Sequence, residues 1–170
     1  KNSNYIDLNS DGVGTLTSWF YGNGTTTSTK TTVQVVLAGQ REIVFTGLNH
    51  DGTYITKTLT VQVDTLIGVA PEWGILCGTG EKNWVWDNTL SAVWGNGGYK
   101  GNTSPGWWTV AVADIDGQAK GEGLGAKMTF AVDGSGLTKI KSDGSSIKGS
   151  FAFDMSVITK DDGGAVWAKG

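Results

Sequence analysis

Five of the chain's eight tryptophans lie in one stretch, WVWDNTLSAVWGNGGYKGNTSPGWW, residues 84–108, threaded with glycine, asparagine and serine. An indole brings an apolar face that buries on the order of 200 Å2, plus a single N–H donor. Such rings build either a hydrophobic core or a flat platform for a ligand. Seven tryptophans fall between residues 73 and 167, more than the core of one small domain needs. Trp84 and Trp86 share a strand face opposite Val85, and one of those faces must be core. Trp73 and Trp167 are expected in the core or at a domain junction. Trp107 and Trp108 are adjacent, so a strand sends them to opposite faces and buries at most one well. Trp94 and Tyr99 flank Gly95-Asn96-Gly97-Gly98, which has no apolar side chain to cover them. A pyranose presents the complementary surface, an apolar C–H face with a hydroxyl edge. Aromatic rings stack on the first, while amides and carboxylates orient the second. The candidate carbohydrate-binding residues are therefore Trp84, Trp86, Asp87, Trp94, Asn96, Tyr99, Trp107 and Trp108, with Asp116, Gln118 and Glu122 just beyond. A proline-rich peptide groove uses similar aromatics and is a lesser alternative.

The acids after this stretch raise the question of catalysis. In Asp114-Ile115-Asp116-Gly117-Gln118-Ala119-Lys120-Gly121-Glu122-Gly123 a strand would place Asp114 and Asp116 on one face, with Glu122 in a glycine-rich turn. Two carboxylates roughly 5–10 Å apart can hydrolyse a glycoside. A glycoside hydrolase or polysaccharide lyase is accordingly the first alternative to a binding module, and a structural or adhesin segment is the second. Turnover needs a cleft that drives two carboxyl pKa values apart. Small, glycine-rich surroundings expose acids to water instead, so these residues are read as turn formers or hydroxyl acceptors and no catalytic residue is assigned. Asp7-Leu8-Asn9-Ser10-Asp11-Gly12 fits the first half of a calcium loop, but Ser18 stands where the twelfth, bidentate acid belongs. An Asx-rich turn is expected there, with at most a weak structural calcium; no other metal or cofactor is expected.

Composition closes off other classes. Net charge is −3 with a single arginine, whereas nucleic-acid partners require a basic stripe. No run approaches the ~20 apolar residues that cross a bilayer as a helix. Cys77 and His50 are each alone, which removes an internal disulfide, cysteine clusters, His-dependent triads and the usual zinc sites.

The elements that must position these residues read as strands. The 27 glycines, 2 prolines and abundant Thr, Val and Ser lack any sustained helical apolar stripe, so the architecture is all-β with helix a minor component. Residues 1–65 give strands at Thr15–Tyr21, Thr32–Leu37, Glu42–Leu48 and Tyr54–Val63, separated by turns at Gly22-Asn23-Gly24, Ala38-Gly39 and Asn49-His50-Asp51-Gly52. This meander has the spacing of an immunoglobulin-like sandwich. Asp64–Gly68 is a short junction, so the two domains should touch. Residues 66–170 form the second domain, expected as a jelly-roll-type sandwich. Its meander has a strand over Ala126–Val132 with one buried face, then Leu137–Lys141, Ile147–Asp154 carrying Phe151 and Phe153, and Ala165–Lys169.

Ser18-Trp19-Phe20-Tyr21-Gly22-Asn23-Gly24 resembles the W-x-F-G-D-G segment of polycystin-type (PKD) repeats. Ala38-Gly39-Gln40-Arg41-Glu42-Ile43-Val44-Phe45 sits where that family carries its G-x-Y-x-V strand, with Arg41 replacing an aromatic and the family's first strand missing. The likeness covers residues 5–64 and implies a spacer. The second part resembles modules that follow such repeats in surface glycan-binding lipoproteins of Gram-negative glycan-utilisation systems. That likeness rests on Lys82-Asn83-Trp84-Val85-Trp86-Asp87, Trp94-Gly95-Asn96-Gly97-Gly98-Tyr99 and Pro105-Gly106-Trp107-Trp108. It implies a carbohydrate partner and a secreted or cell-surface location as an outer-membrane lipoprotein. The targeting segment is expected outside this chain. The stop at Gly170 suggests a piece of a longer protein or an absent tail; the chain is expected to be monomeric, with no nucleic-acid partner and no membrane insertion of its own.

Overall fold

The computed structural model describes residues 3–11, 14–153 and 156–169. Gly12 of the expected ion loop, Asp154 at the end of an expected strand, and both chain ends lie outside the described residues. The chain is all-β. Its first half comprises β1 (Tyr5–Asn9), β2 (Thr15–Phe20), β3 (Thr25–Thr26), β4 (Lys30–Gln34), β5 (Gly39–Asn49) and β6 (Tyr54–Val63). β1 pairs with β4, and the second sheet runs β3-β2-β5-β6, with every pairing antiparallel. Leu8, Val33 and Val35 from the first sheet and its continuation meet Trp19, Ile43 and Val63 from the second in one buried cluster. Period-2 alternation puts each of these side chains inward. Trp19 and Phe45 are directly opposite across β2 and β5, with ring centroids 4.8 Å apart. The β5–β6 hairpin closes where the sequence signals it. Gly52 adopts φ +84°, and Asp51 Oδ1 accepts from both the Thr53 amide and hydroxyl.

One expectation fails in this half. Asp7 to Asn9 form strand β1, where a turn was expected and the resemblance left a first strand missing. The alternating Ile6 and Leu8 pack into the core, which gains more than the Asx turn could. Asp7 accepts a hydrogen bond from Thr32 Oγ1 at 2.6 Å, across the β1–β4 pair. An extended strand keeps Asp7 and Asn9 from curling around an ion as a calcium loop does.

The halves are joined tightly. Asn4, fully buried, donates to the Val35 carbonyl and accepts from the Ile67 amide at 2.9 Å, pinning the junction. Val36 of the first half shares a buried cluster with Cys77 and Val132 of the second, flanked by Leu37, Trp73, Phe130 and Phe151. Gly134 N donates to Gly22 O, and Ser135 Oγ donates to Asn23 O.

The second half contains α1 (Glu72–Cys77), β7 (Glu81–Val85), β8 (Trp94–Asn96), β9 (Trp108–Val110), a 3-10 turn (Val112–Asp114), α2 (Ile115–Gln118) and β10 (Lys127–Ala131). A second 3-10 turn (Asp133–Ser135) leads to β11 (Gly136–Ile140), β12 (Ser146–Ser150), β13 (Ile158–Lys160) and β14 (Val166–Lys169). The central sheet is ordered β12-β11-β10-β7, and β8–β9 and β13–β14 are separate hairpins. Phe151 and Phe153 follow β12 and converge on Trp73, with centroids 5.4 and 5.0 Å from it. Trp73 is thus a core residue, as expected. Trp167 is not: it is 79% exposed on β14. The expected buried face of β10 is also only part buried, because Met128 is 39% exposed while Ala126 and Val132 are covered. Among the described residues no helix is long and apolar enough to cross a membrane.

Candidate functional site

The tryptophan-rich stretch resolves into two groups with different supports. The first sits on the β8–β9 hairpin. Trp94 and Trp108 pack edge to face with centroids 5.6 Å apart, beside the buried Val110. Each keeps about a third of its surface open, 36% and 39%, so together they root the hairpin. The preceding residue, Trp107, lies just outside β9 rather than in the strand expected for it, and is 69% exposed. Its ring lies directly against Gly97, where a Cβ would collide with it, and Gly97 adopts φ +68°. Tyr99, 80% exposed, stands edge-on to Trp107 at 6.0 Å.

The loop that carries this pair is held by its own backbone. Gly106 N donates to Gly97 O at 2.8 Å, and Trp107 N donates to Asn96 O at 3.2 Å. Asn102 Oδ1 accepts from the Tyr99 amide at 3.1 Å. The result is a shallow groove of about 500 Å3. Asn96, Asn102, Thr103 and Ser104 line it beside the two rings, and no lining residue is charged. Asn102, Thr103 and Ser104 were not among the residues singled out from sequence. Their amide and hydroxyl character within the same glycine-rich loop was the available signal.

The second group belongs to the central sheet. Trp84 faces Met128, which faces Lys139, in one cross-strand row. Trp84 Nε1 donates to the Leu76 carbonyl at 3.0 Å, and Lys82 Nζ lies 4.2 Å from its ring centroid. Trp86 Nε1 donates to the Glu122 carbonyl at 2.6 Å. Both indole donors are therefore spent on the backbone, which fixes the rings while leaving them 38% and 39% exposed. They line a small, mostly apolar depression of about 200 Å3 with Ala126, Met128 and Ile140. The Glu122 carboxylate and Lys139 Nζ, 2.5 Å apart, form an ion pair beside it. Sheet register brings Met128 and Lys139 here, so nothing local in the sequence marks them.

Of the remaining candidates, Asp87 lines a depression with Trp86, and Asp116 and Gln118 line none of the depressions beside these rings. Asp87 Oδ1 accepts from the Thr89 amide and hydroxyl, and the hydroxyl bond most strongly holds the carboxyl below its usual range. Gln118 is exposed at the end of α2 and lines none of these depressions. Asp114 and Asp116 do not share a strand face, because residues 112–118 are helical. Val112 and Ile115, three apart, are the two buried there, and helical spacing is what brings both inward. Asp116 Oδ1 accepts from Gly123 N, Gly121 N and Ser142 Oγ, at 2.9, 2.9 and 3.0 Å. The Gly123 amide, above all, holds this carboxyl below the ordinary range. A Cβ on Gly123 would strike the carboxylate, so the glycine is required by the close approach. Asp116 is a clasp between the 116–123 loop and the turn after β11.

A cavity of about 860 Å3 lies away from the tryptophans. It opens between the halves, lined by Phe20, Tyr21, Arg41, Glu42, Glu81 and Asp133 among others. Among the described residues no group of three His, Cys, Asp or Glu side chains is placed to hold a metal. Cys77 is fully buried, which pushes its thiol pKa up. No protein-family model matches the chain, and no curated protein matches it significantly.

Proposed function

We propose that this chain binds a neutral polysaccharide or oligosaccharide without turning it over, and that the Tyr99–Trp107 pair is the platform. One observation carries the reading. Two aromatic rings, 80% and 69% exposed, stand 6.0 Å apart in a groove whose other lining groups are amides, hydroxyls, glycines and one proline. Water gains nothing from such rings, whereas the C–H face of a sugar does. Two asparagines, a threonine and a serine give the hydroxyl edge donors and acceptors, and the lack of charge suits an uncharged ligand. The first half, PKD-like by its sequence likeness, serves as a rigid spacer that presents this face, on a secreted or surface-anchored protein.

The hydrolase or lyase alternative gains no support from the acids. A general acid needs a carboxyl pKa raised toward neutrality. Asp116 is shifted the other way and is occupied with holding two loops together. Glu122 is paired with Lys139. Screening the chain against immobilised neutral plant and algal polysaccharides, then watching bound polymer for new reducing ends or unsaturated products, tests both parts. Binding without product is expected. Sustained product release lost in Glu122→Gln would replace this proposal with the enzymatic one, and failure to bind any of the polymers would remove it.

A further inference from the structure

Resting on that reading, we infer that the ligand is an extended chain laid lengthwise, running from Tyr99–Trp107 to Trp84–Trp86 across a middle section that carries Asp87. The two aromatic groups are not isolated. A third depression, of about 560 Å3, shares five of its ten lining residues with them. Thr103, Ser104 and Pro105 line both it and the Tyr99–Trp107 groove. Val85 and Trp86 line both it and the Trp84–Trp86 depression. One path therefore passes from an aromatic pair, along a loop of hydroxyls, to a second aromatic pair.

The chemistry changes along the path in a way that suits several linked sugar units. The first section is uncharged. The middle one holds the Asp87 carboxylate, whose pKa the two hydrogen bonds from Thr89 hold below its usual range. An anionic acceptor accepts a hydrogen bond from a hydroxyl of a neutral sugar and repels a uronate. The last section sets Met128, Ala126 and the two fixed indoles beside the Glu122–Lys139 ion pair and Lys127. A monosaccharide or disaccharide touches one section only. A longer chain engages the second aromatic pair as an intramolecular event, so its affinity rises with length until the path is filled.

The test begins with glucans, mannans and xylans as probes, followed by an oligosaccharide ladder, disaccharide to hexasaccharide, of the polymer that binds. Calorimetric titration should show the dissociation constant falling at least about tenfold along the ladder. Filling the middle section with Ser91→Leu combined with Ala92→Leu, two residues that line it and neither aromatic section, should return the hexasaccharide to near the disaccharide's affinity and leave the disaccharide unchanged. Asp87→Asn keeps an oxygen acceptor for Thr89 and gives a second route if the double variant fails to fold. It should weaken the hexasaccharide more than the disaccharide. Binding that is flat with chain length, or an Asp87→Asn loss equal at every length, overturns the lengthwise path and leaves the Tyr99–Trp107 platform standing. Failure of all three probe polymers to bind takes down the platform and the path together.

Discussion

Replacing Trp107 and Trp84 in turn by alanine should separate platform from support, because the two rings are held so differently. Trp107 is 69% exposed, so roughly a third of a ~250 Å2 side chain, about 80 Å2, is lost from the folded interior. At ~25 cal/mol per Å2 that is about 2 kcal/mol of stability as an upper value. Trp84 is 38% exposed, so about 150 Å2 is lost, worth about 4 kcal/mol. Its removal also leaves the Leu76 carbonyl without a donor, adding about 1 kcal/mol. For a chain of this length each kcal/mol moves the melting temperature by about 2–4 °C. Trp107→Ala should therefore melt about 4–8 °C low, and Trp84→Ala about 10–20 °C low. Glycan affinity should order them the other way per folded molecule for a short ligand. Loss of the Trp107 stacking surface costs about 1–3 kcal/mol, or about 5- to 150-fold. Differential scanning calorimetry gives the first quantity, and affinity electrophoresis in gels containing the bound polysaccharide gives the second. A Trp107→Ala protein that unfolds, or that stays folded with undiminished affinity, would refute the assignment of that ring to the platform.

Three further outcomes follow from the same geometry. Gly97→Ala should reduce binding about as far as Trp107→Ala, since a Cβ at φ +68° strikes the indole and moves it off the loop; an unchanged affinity would show that the ring position does not matter. Affinity for the polysaccharide should hardly change between low and molar salt, because stacking and hydrogen bonds to a neutral ligand are not screened; a steep loss would identify a charged glycan. Asp116 has its folded pKa depressed, so the stability it contributes is present above the unfolded value, about pH 4, and is lost as pH falls through the lower folded one. Thermal midpoints measured from pH 7 down to pH 3 should fall less steeply in Asp116→Asn than in the parent chain, and parallel curves would show that the clasp does not couple to folding.

Most of the strand content was legible in the sequence, because period-2 alternation and turn residues are local signals. β6 was expected at its observed bounds, and the turn at Asn49–Gly52 fell where Asp and Gly demand it. β1 was missed because its Asp and Asn at alternate places read as a turn, and only the facing Val33 and Trp19 show why Leu8 is worth burying. The 112–118 helical turns were missed for the opposite reason. Seven residues are too few for a period to declare itself, and the burial of Val112 and Ile115 is a tertiary fact. In the same way local signals made the all-β character legible, and composition alone put amides and hydroxyls in one loop with aromatic rings. Which rings are spare is settled by packing. Exposure depends on what the rest of the chain lays over each indole. Leu76 and Glu122 take the donors of Trp84 and Trp86, Phe151 and Phe153 cover Trp73, and Tyr99 and Trp107 are left facing water.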